Sequence, residues 1–411
     1  MSLAAPSRLP RSFIRLAWSN LAAQCSEQMA LAAAAIVAVL ALGAGGTETG
    51  LLQTAQTLPF LLLSLPLGVL ADRASRRGLM VAAEAARAVS LALTLALIFS
   101  GRLNLALLAG LGFLGATGTV AYNVAAPALV PLLAPRESLP RANRWLELAR
   151  SAAFAAGPAL GGALVGWAGA PTAYIVGTTL SLVALVLLAR LPDAKPAAKA
   201  ARRHPVHELV EGARFVAGHA LLRPLLIVAI VFNTSWFILQ AVYAPYAIRH
   251  LGLNASGVGA TLGAYGAGMI FGALGAPTLG RFLSFGALIV VGPLCGFAAA
   301  LLMAATILAP SGLLAGASFF LFGAGPVVWV ITTTTLRQTV TPNAMLGRVS
   351  AIIVTATYGA RPLGAAIGAA LSASAGVKAC LFVAAAGFFI QFVAIAVSAP
   401  PRLKALPEAA E

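Results

Sequence analysis

The stretch GVLADRASRR, residues 68–77, joins one long apolar run to the next. One acidic residue, Asp72, is followed there by three basic residues, Arg73, Arg76 and Arg77. Basic residues in short loops between apolar runs are explained by membrane topology, because they are retained on the cytoplasmic side. Acidic residues contribute little to topology. Asp72 is therefore expected to have a partner, such as an arginine or the N-terminus of a neighbouring helix.

Apolar runs continue on both sides of this stretch along most of the chain. A helix that crosses a bilayer needs about 20 apolar residues, and the sequence predicts twelve such spans. They cover residues 16–43, 48–71, 79–100, 103–131, 145–168, 170–190, 222–249, 255–279, 285–309, 312–336, 350–374 and 377–398. The predicted fold class is an all-α integral membrane protein with twelve transmembrane helices.

The composition also indicates a membrane protein. Sixty per cent of the 411 residues are apolar and 9% are charged, whereas a soluble domain carries roughly 25% charged residues. The net charge of +16 does not predict nucleic-acid binding, because the basic residues lie in short loops between apolar runs. Lipid is thus the expected surroundings of most of the surface.

The chain resembles itself at an offset of 207 residues. Pro135 then coincides with Pro342 and Arg141 with Arg348, and several glycines coincide as well. Two parallel copies with a site between them are a plan that membrane transporters use. The predicted organisation is an N-terminal six-helix bundle (1–190), a cytoplasmic linker (191–221), a pseudo-symmetric C-terminal six-helix bundle (222–398) and a cytoplasmic tail (399–411). A helix on the membrane surface is expected near residues 208–216.

Basic residues orient the predicted spans. Of the 27 Lys and Arg residues, Arg102, Arg249 and Lys378 fall on one side, Arg87 and Arg361 fall inside spans, and the other 22 fall on the opposite side. The positive-inside rule makes the crowded side cytoplasmic. The predicted location is a cytoplasmic (inner) membrane, with both termini in the cytoplasm.

The stretch 68–77 resembles the loop between helices two and three of the major facilitator superfamily. Ser75 stands where that family more often has glycine, and the second copy keeps Gly275 but not the acid. The resemblance implies a conformational latch, in which Asp72 contacts the start of span eleven near Arg348 and favours the outward-facing state. The implied latch residues are Gly68, Asp72, Arg73, Arg76, Arg77 and Arg348.

Three further stretches resemble one branch of that superfamily. Residues 129–143 and 336–349, and Arg361-Pro362-Leu-Gly364, are similar to the enterobactin-exporter-like branch of drug and siderophore exporters. Span five contains a helix-bend motif that resembles part of the antiporter motif of exporters, although helix packing explains it equally well. Its residues are Gly157, Pro158, Gly161 and Gly162.

One acid lies about halfway along the first span. Glu27 stands beside Ser26 and Gln28, and a charge at the bilayer centre costs at least ~3 kcal/mol. First helices line the cavity in the resembled superfamily, so Glu27 is predicted to be the proton-coupling group. The alternative is a structural partner of a distant arginine, and pairing with Arg361 stays open.

Two acid–base pairs at a spacing of three residues begin spans three and five. Glu84 with Arg87, and Glu147 with Arg150, can each pair on one helix face. Both are interpreted as structural or gate ion pairs near the cytoplasmic end.

Aromatic and amide residues of spans one, four, seven and ten are candidates for a substrate site by family geometry. They suit a bulky substrate of mixed polarity, although each of them alone is more often part of helix packing. The predicted substrate-binding residues are Gln24, Tyr122, Asn123, Asn233, Trp236, Gln240, Tyr243, Trp329 and Arg361.

The resemblance implies a secondary active transporter that exports a siderophore or an amphiphilic drug-like molecule by proton antiport, as a monomer in the lipid bilayer. Metabolite uptake or lysolipid flipping by the same fold is the alternative. An enzyme is not expected, because HExxH, GxSxG, a phosphate loop and a Cys/His ligand set are all missing from the sequence. No metal and no cofactor are predicted.

The predicted topology can be tested with two accessibility tags. Tags at residues 102 and 200 are expected to react from opposite faces of the membrane, because an odd number of spans separates them. Labelling of both tags by one impermeant reagent in sealed cells would contradict the topology.

Overall fold

A computed structural model describes residues 10–64, 66–67, 70, 74–133, 138–192, 205–342 and 345–407. Within these ranges the chain is helical apart from short connections, and no strand is present. Helices are expected here because a backbone polar group surrounded by lipid must be hydrogen-bonded within its own segment.

Each half of the chain forms six membrane helices. The first half contains α1 (Arg11–Leu40), α2 (Gly46–Leu62), α3 (Arg76–Phe99), α4 (Leu105–Leu133), α5 (Leu139–Ala168) and α6 (Ala170–Ala189). A short helix, α7 (Pro205–Gly218), connects it to the second half. That half contains α8 (Leu222–Arg249), α9 (Ala255–Phe282), α10 (Phe285–Ala305), α11 (Gly312–Val340) and α12 (Leu346–Ala396).

The prediction of twelve membrane helices is confirmed. Ten helices in the described ranges are long and apolar enough to cross a membrane. The longest of them, α12, is two helices that meet at Gly376, where the backbone leaves the helical conformation. The twelfth is α2, which has 17 described residues. Spans one to six correspond to α1–α6, spans seven to ten to α8–α11, and spans eleven and twelve to the two parts of α12.

The first helix differs from the prediction at its start. It begins at Arg11 rather than near residue 16, and Phe13 and Leu16 are each 1% exposed. Burial of these two side chains against the N-terminal bundle stabilises the extra turn. Polar residues flank Phe13 and Leu16 in the sequence, so the apolar contact of these two side chains could not be recognised from the sequence.

Very short turns connect the helices at one end of the molecule. The connections α1–α2, α3–α4, α5–α6 and α8–α9, and the break in α12, each contain a glycine with φ between 64° and 83°. Residues with a Cβ rarely adopt this left-handed conformation. Glycine therefore allows each chain reversal to be completed within a few residues.

These turns preserve the internal repeat in their geometry. Gly169 (φ 83°, ψ 166°) and Gly376 (φ 81°, ψ 171°) lie 207 positions apart and have nearly identical backbone angles. Asn104 and Ser311 are also 207 positions apart, and the side-chain oxygen of each accepts a hydrogen bond at a helix N-terminus. The duplication seen in the sequence thus extends to local structure.

The two bundles touch closely at this same end. Nη2 of Arg249 donates hydrogen bonds of 2.9 Å to the carbonyl oxygens of Gly43 and Ala44 in the other bundle. A Cβ at Gly162 of α5 would lie 2.7 Å from Cα of Gly259 of α9. The helix backbones therefore meet directly, as small residues permit between membrane helices, and this end of the molecule is closed.

Two glycines on α9 provide a matched test of helix packing. A leucine at Gly268 is expected to lower the thermal stability, because a Cβ there would overlap the backbone carbonyl of Phe320 on α11, and overpacking costs about 1–3 kcal/mol. A leucine at Gly275 is expected to change little, since no described heavy atom lies within 4 Å of its Cβ position. Equal melting temperatures for the two variants in detergent would contradict this packing.

Candidate functional site

A cavity of about 350 Å³ lies between the two bundles. Helices α1–α6 contribute to its wall from one half, and α8, α9 and α12 contribute from the other half. This volume is near the lower end of the range for sites that bind drug-sized ligands. The cavity is therefore the candidate substrate site.

Arg87 is the centre of the polar contacts on the N-terminal side of the cavity. Its Nη1 lies 2.5 Å from Oε1 of Glu84, and its Nη2 lies 3.5 Å from Oε2 of Glu27. The same guanidinium donates to Oγ1 of Thr119 at 2.8 Å and to the carbonyl oxygen of Ala23 at 3.2 Å. Arg87 thus joins α1, α3 and α4 through one buried group.

The two glutamates beside Arg87 have different surroundings. Glu84 is completely buried, and Oγ of Ser181 donates to its second carboxylate oxygen at 2.9 Å. The side chain of Glu27 is 17% exposed and lines the cavity. Glu84 is therefore the structural partner of Arg87, whereas Glu27 is the carboxylate that a ligand or a proton can reach.

The position of Arg87 differs from the sequence prediction. The Glu84–Arg87 pair forms, but Arg87 lies at the midpoint of the 24-residue helix α3 and lines the cavity. Spacing within one helix could not reveal the contact with Glu27, which comes from a different helix. The arginine nearest to Glu27 is Arg87 rather than Arg361.

Arg361 lies on the opposite side of the cavity in an aromatic cage. Its guanidinium carbon is 4.3 Å from the ring centroid of Tyr358, 5.4 Å from that of Phe60 and 5.6 Å from that of Phe237. Contacts of this kind attract a cation to the face of a ring. In the part of the chain that the structure describes, its Nε is buried without a hydrogen-bond partner.

Helix α8 supplies a wall of aromatic and amide side chains. Trp236 packs against Tyr265 at 5.1 Å and against Phe322 at 4.9 Å between ring centroids. Tyr243 donates a hydrogen bond of 2.5 Å to Oγ1 of Thr261. These contacts fix the rings, so the wall is already formed in this structure.

The structure brings five of the nine predicted substrate-binding residues to the cavity, together with Glu27. The five are Asn233, Trp236, Gln240, Tyr243 and Arg361. The other four, Gln24, Tyr122, Asn123 and Trp329, are not among the lining residues. Tyr122 packs in the N-terminal core, and Trp329 packs against residues of the C-terminal core. The sequences of α4 and α11 do not indicate which face of each helix turns toward the cavity.

Several lining residues were missed by the sequence analysis. Arg150, Phe154 and Pro158 line the cavity from α5, and their spacing of four residues places them on one helix face. That spacing could have indicated in the sequence that these three residues face the same side. The rings of Phe60 and Tyr265 had no comparable signal, because aromatic residues on membrane helices are common.

Half of the predicted latch residues lie outside the described residues. Gly68, Asp72 and Arg73 belong to that part, so the contact between Asp72 and span eleven stays a prediction. Of the others, Arg76 begins α3, and Arg77 donates from Nη1 to the carbonyl oxygen of Leu191 at 3.0 Å. Arg348 forms an ion pair of 2.8 Å with Glu211 of α7, a contact that the sequence analysis did not predict.

The helix-bend motif packs between two other helices. A Cβ at Gly157 would collide with Gln28, and one at Gly161 would lie 2.9 Å from the carbonyl oxygen of Met29, both on α1. Gly162 faces α9 instead, and Pro158 lines the cavity. The motif therefore lets α5 approach both α1 and the other bundle.

The buried ion pair of α3 and the more exposed pair of α5 can be compared by mutation. Arg87→Gln is expected to cost about 3–5 kcal/mol of stability, because Glu84 would stay buried without a counter-charge. Arg150→Gln breaks a pair whose side chains are 42% and 60% exposed, so a cost of about 1 kcal/mol or less is expected.

Thermal unfolding in detergent measures both effects. Adding Glu84→Gln to Arg87→Gln is expected to recover part of the loss, since the uncompensated charge is then removed. An Arg87→Gln variant as stable as Arg150→Gln would contradict the assigned role of Arg87.

Comparison with solved structures places this architecture among known transporters. A bacterial homologue of the iron transporter ferroportin, crystallised in an inward-facing state, aligns with a TM-score of 0.72, covering 95% of this chain and 99% of that chain at 16% identity. An inward-facing bacterial homologue of the lysosomal transporter Spinster aligns with a TM-score of 0.70, covering 95% and 98% of the two chains at 16% identity. At such identities the similarity is one of fold.

Sequence comparison identifies the family. The enterobactin exporter EntS of Escherichia coli O1:K1 / APEC is 31% identical over 314 residues, which are 74% of this chain and 71% of that protein. The multidrug efflux pump Tap of Mycolicibacterium fortuitum is 28% identical over 341 residues, 81% and 82% of the two chains. The family model described as transmembrane secretion effector matches residues 4–410. The chain is therefore a multi-pass membrane transporter that belongs to the transmembrane secretion effector family of the major facilitator superfamily.

Proposed function

We propose that this protein exports a siderophore or an amphiphilic drug-like molecule by proton antiport and alternating access. The names of the relatives EntS and Tap, an enterobactin exporter and a multidrug efflux pump, support export. The proposed unit is a monomer in a cytoplasmic membrane with both termini inside. Residues 1–190 and 222–398 are the moving bundles, 191–221 the linker and 399–411 the tail.

The surroundings of Glu27 carry the proposal of proton coupling. Arg87 is 2.5 Å from Glu84 but 3.5 Å from Glu27. Because Glu84 keeps Arg87 paired, Glu27 can accept a proton without leaving a buried guanidinium unpaired. Glu27 also faces the cavity, so a proton and a ligand reach the same carboxylate.

Competition between the proton and the substrate for Glu27 would couple the transport of one to the transport of the other. An ionised Glu27 accepts hydrogen bonds from donor groups of a substrate, whereas a protonated Glu27 loses part of that capacity. The substrate therefore binds better when the proton has left. Binding that is mutually exclusive in this way is what exchange of a proton for a substrate requires.

The closed end of the molecule supports an inward-facing state in the proposed transport cycle. Arg249, Gly43 and Gly162 lie at the end that the positive-inside rule assigns to the outside. Closure there corresponds to an inward-facing state. In this state, Glu27 would release its proton to the cytoplasm and the substrate would enter.

Everted membrane vesicles that contain this protein test the proposal, with enterobactin as the probe. Wild-type vesicles are expected to accumulate the probe when their interior is acidified. Glu27→Gln is expected to reduce this dependence on the gradient at least about tenfold, because its side chain exchanges no proton. Glu48→Gln is the matched control, since Glu48 lies in the first turn of α2 and accepts a hydrogen bond from the backbone N–H of Gly45, the N-cap of the same helix.

Two outcomes would contradict the proposal. Gradient-driven accumulation that is unchanged in Glu27→Gln would remove Glu27 from the coupling role. Loss of the probe from preloaded vesicles when the interior is acidified would indicate the uptake alternative rather than export.

A further inference from the structure

Among the residues that the structure describes, Arg361 has no anionic partner. Within the described ranges, no carboxylate lies at ion-pairing distance from its guanidinium, and its buried Nε has no hydrogen-bond partner. Arg87 and Arg150 also line the cavity, but each of them is paired with a glutamate. Of the three cavity arginines, Arg361 is therefore the one whose guanidinium a ligand can contact without displacing a glutamate.

Aromatic rings normally make a cavity attractive to lipophilic cations. Here the faces of Tyr358, Phe60 and Phe237 are already in contact with Arg361. A cationic ligand would have to compete with this guanidinium for the rings and would be repelled by it as well. Both effects disfavour cations in this cavity.

The charges around the cavity balance when Glu27 is ionised. The carboxylates and guanidinium groups that line the cavity or pair with a lining residue, among the described residues, are Glu27, Glu84, Glu147, Arg87, Arg150 and Arg361. Three negative groups then face three positive groups. A charged ligand would bring an unbalanced charge into a site of low dielectric constant, which is costly. An uncharged ligand avoids this cost.

The polar side chains of the wall favour hydrogen bonding to a ligand. Ionised Glu27 is an acceptor only, and amide side chains both donate and accept. Gln53, Gln56 and Gln240 line the cavity, and their side chains form no hydrogen bonds with other described residues. Hydroxyl groups on a ligand can donate to Glu27 and exchange hydrogen bonds with these amides.

We propose that Arg361 makes the cavity selective for uncharged hydroxyaromatic compounds and excludes lipophilic cations. The π face of such a compound completes the contacts of the guanidinium, and its hydroxyl groups donate to Glu27. This inference rests on the proposed export function and specifies the class of substrate for the same site.

Binding of three probes that share one ring system tests the inference. They are 2-naphthol (neutral), 2-naphthyl-trimethylammonium (cationic) and 2-naphthoate (anionic), and binding to the full-length protein in detergent is followed by the fluorescence of the ring. The wild-type protein is expected to bind 2-naphthol most tightly. For two unit charges roughly 8 Å apart at an effective dielectric constant of about 20, the repulsion of the cation corresponds to a roughly 30-fold weaker affinity.

Three variants separate charge from folding. Arg361→Gln is expected to bring the affinity for the cation within about threefold of that for 2-naphthol, because the repulsion is removed. Arg361→Lys keeps the charge and is expected to keep the discrimination against the cation. Arg102→Gln, in an exposed turn, is expected to behave like the wild type. Melting temperatures show whether each variant is folded.

Several outcomes would overturn the inference. Wild-type protein that binds the cation as tightly as 2-naphthol would refute the exclusion of cations, and tighter binding of 2-naphthoate would refute the preference for uncharged compounds. Discrimination that survives in a folded Arg361→Gln variant would refute the role of Arg361. Failure of gradient-driven enterobactin transport, with this binding pattern intact, would instead reject the export mechanism.

Discussion

A charge inside a membrane protein has to contact a partner or a cavity instead of lipid, and Arg87 shows how this constraint is met. One guanidinium at the centre of α3 holds a buried glutamate, a threonine hydroxyl and a backbone carbonyl, and still reaches Glu27. A charge within the bilayer is tolerated when it faces a partner or a cavity. On the proposed mechanism, Glu84 satisfies the arginine, and Glu27 is left as the carboxylate whose charge changes. The buried Glu84 and the cavity-lining Glu27 thus share one arginine and differ in their distance from it.

The contact between the bundles depends on backbone atoms more than on large side chains. Gly162 and Gly259 meet across it, and Gly266 faces Ala155 in the same way. Surfaces made of small residues lack interlocking side chains that would have to separate during the proposed rocking movement. They also bring α5 and α9 close together, which places Arg150 and Tyr265 in the wall of the same cavity.

Most of the fold could be predicted from the sequence, because the signals that specify it lie within single segments or recur in both halves of the chain. The length of each apolar run defines a span, and the offset of 207 residues relates the spans of the two halves. Gly169 and Gly376 show that the repeat extends to backbone angles.

The candidate site could be predicted only in part. Glu27 and Trp236 line the cavity, as the polarity of one and the size of the other suggested. Tyr122 and Trp329 do not line it, because the sequence of a nearly uniform apolar helix does not show which of its faces turns toward the cavity. The contact of Glu27 with Arg87 links two helices, and no spacing within one helix encodes it.

On the proposed orientation, the turns at the closed end have a consequence for proteins that approach the membrane from its outer side. Between one and six residues connect successive membrane helices there, and glycine makes most of these reversals possible. On the proposed orientation, little more than helix tips would rise above the lipid headgroups. A protein that binds to this side of the membrane would therefore find few exposed residues to contact.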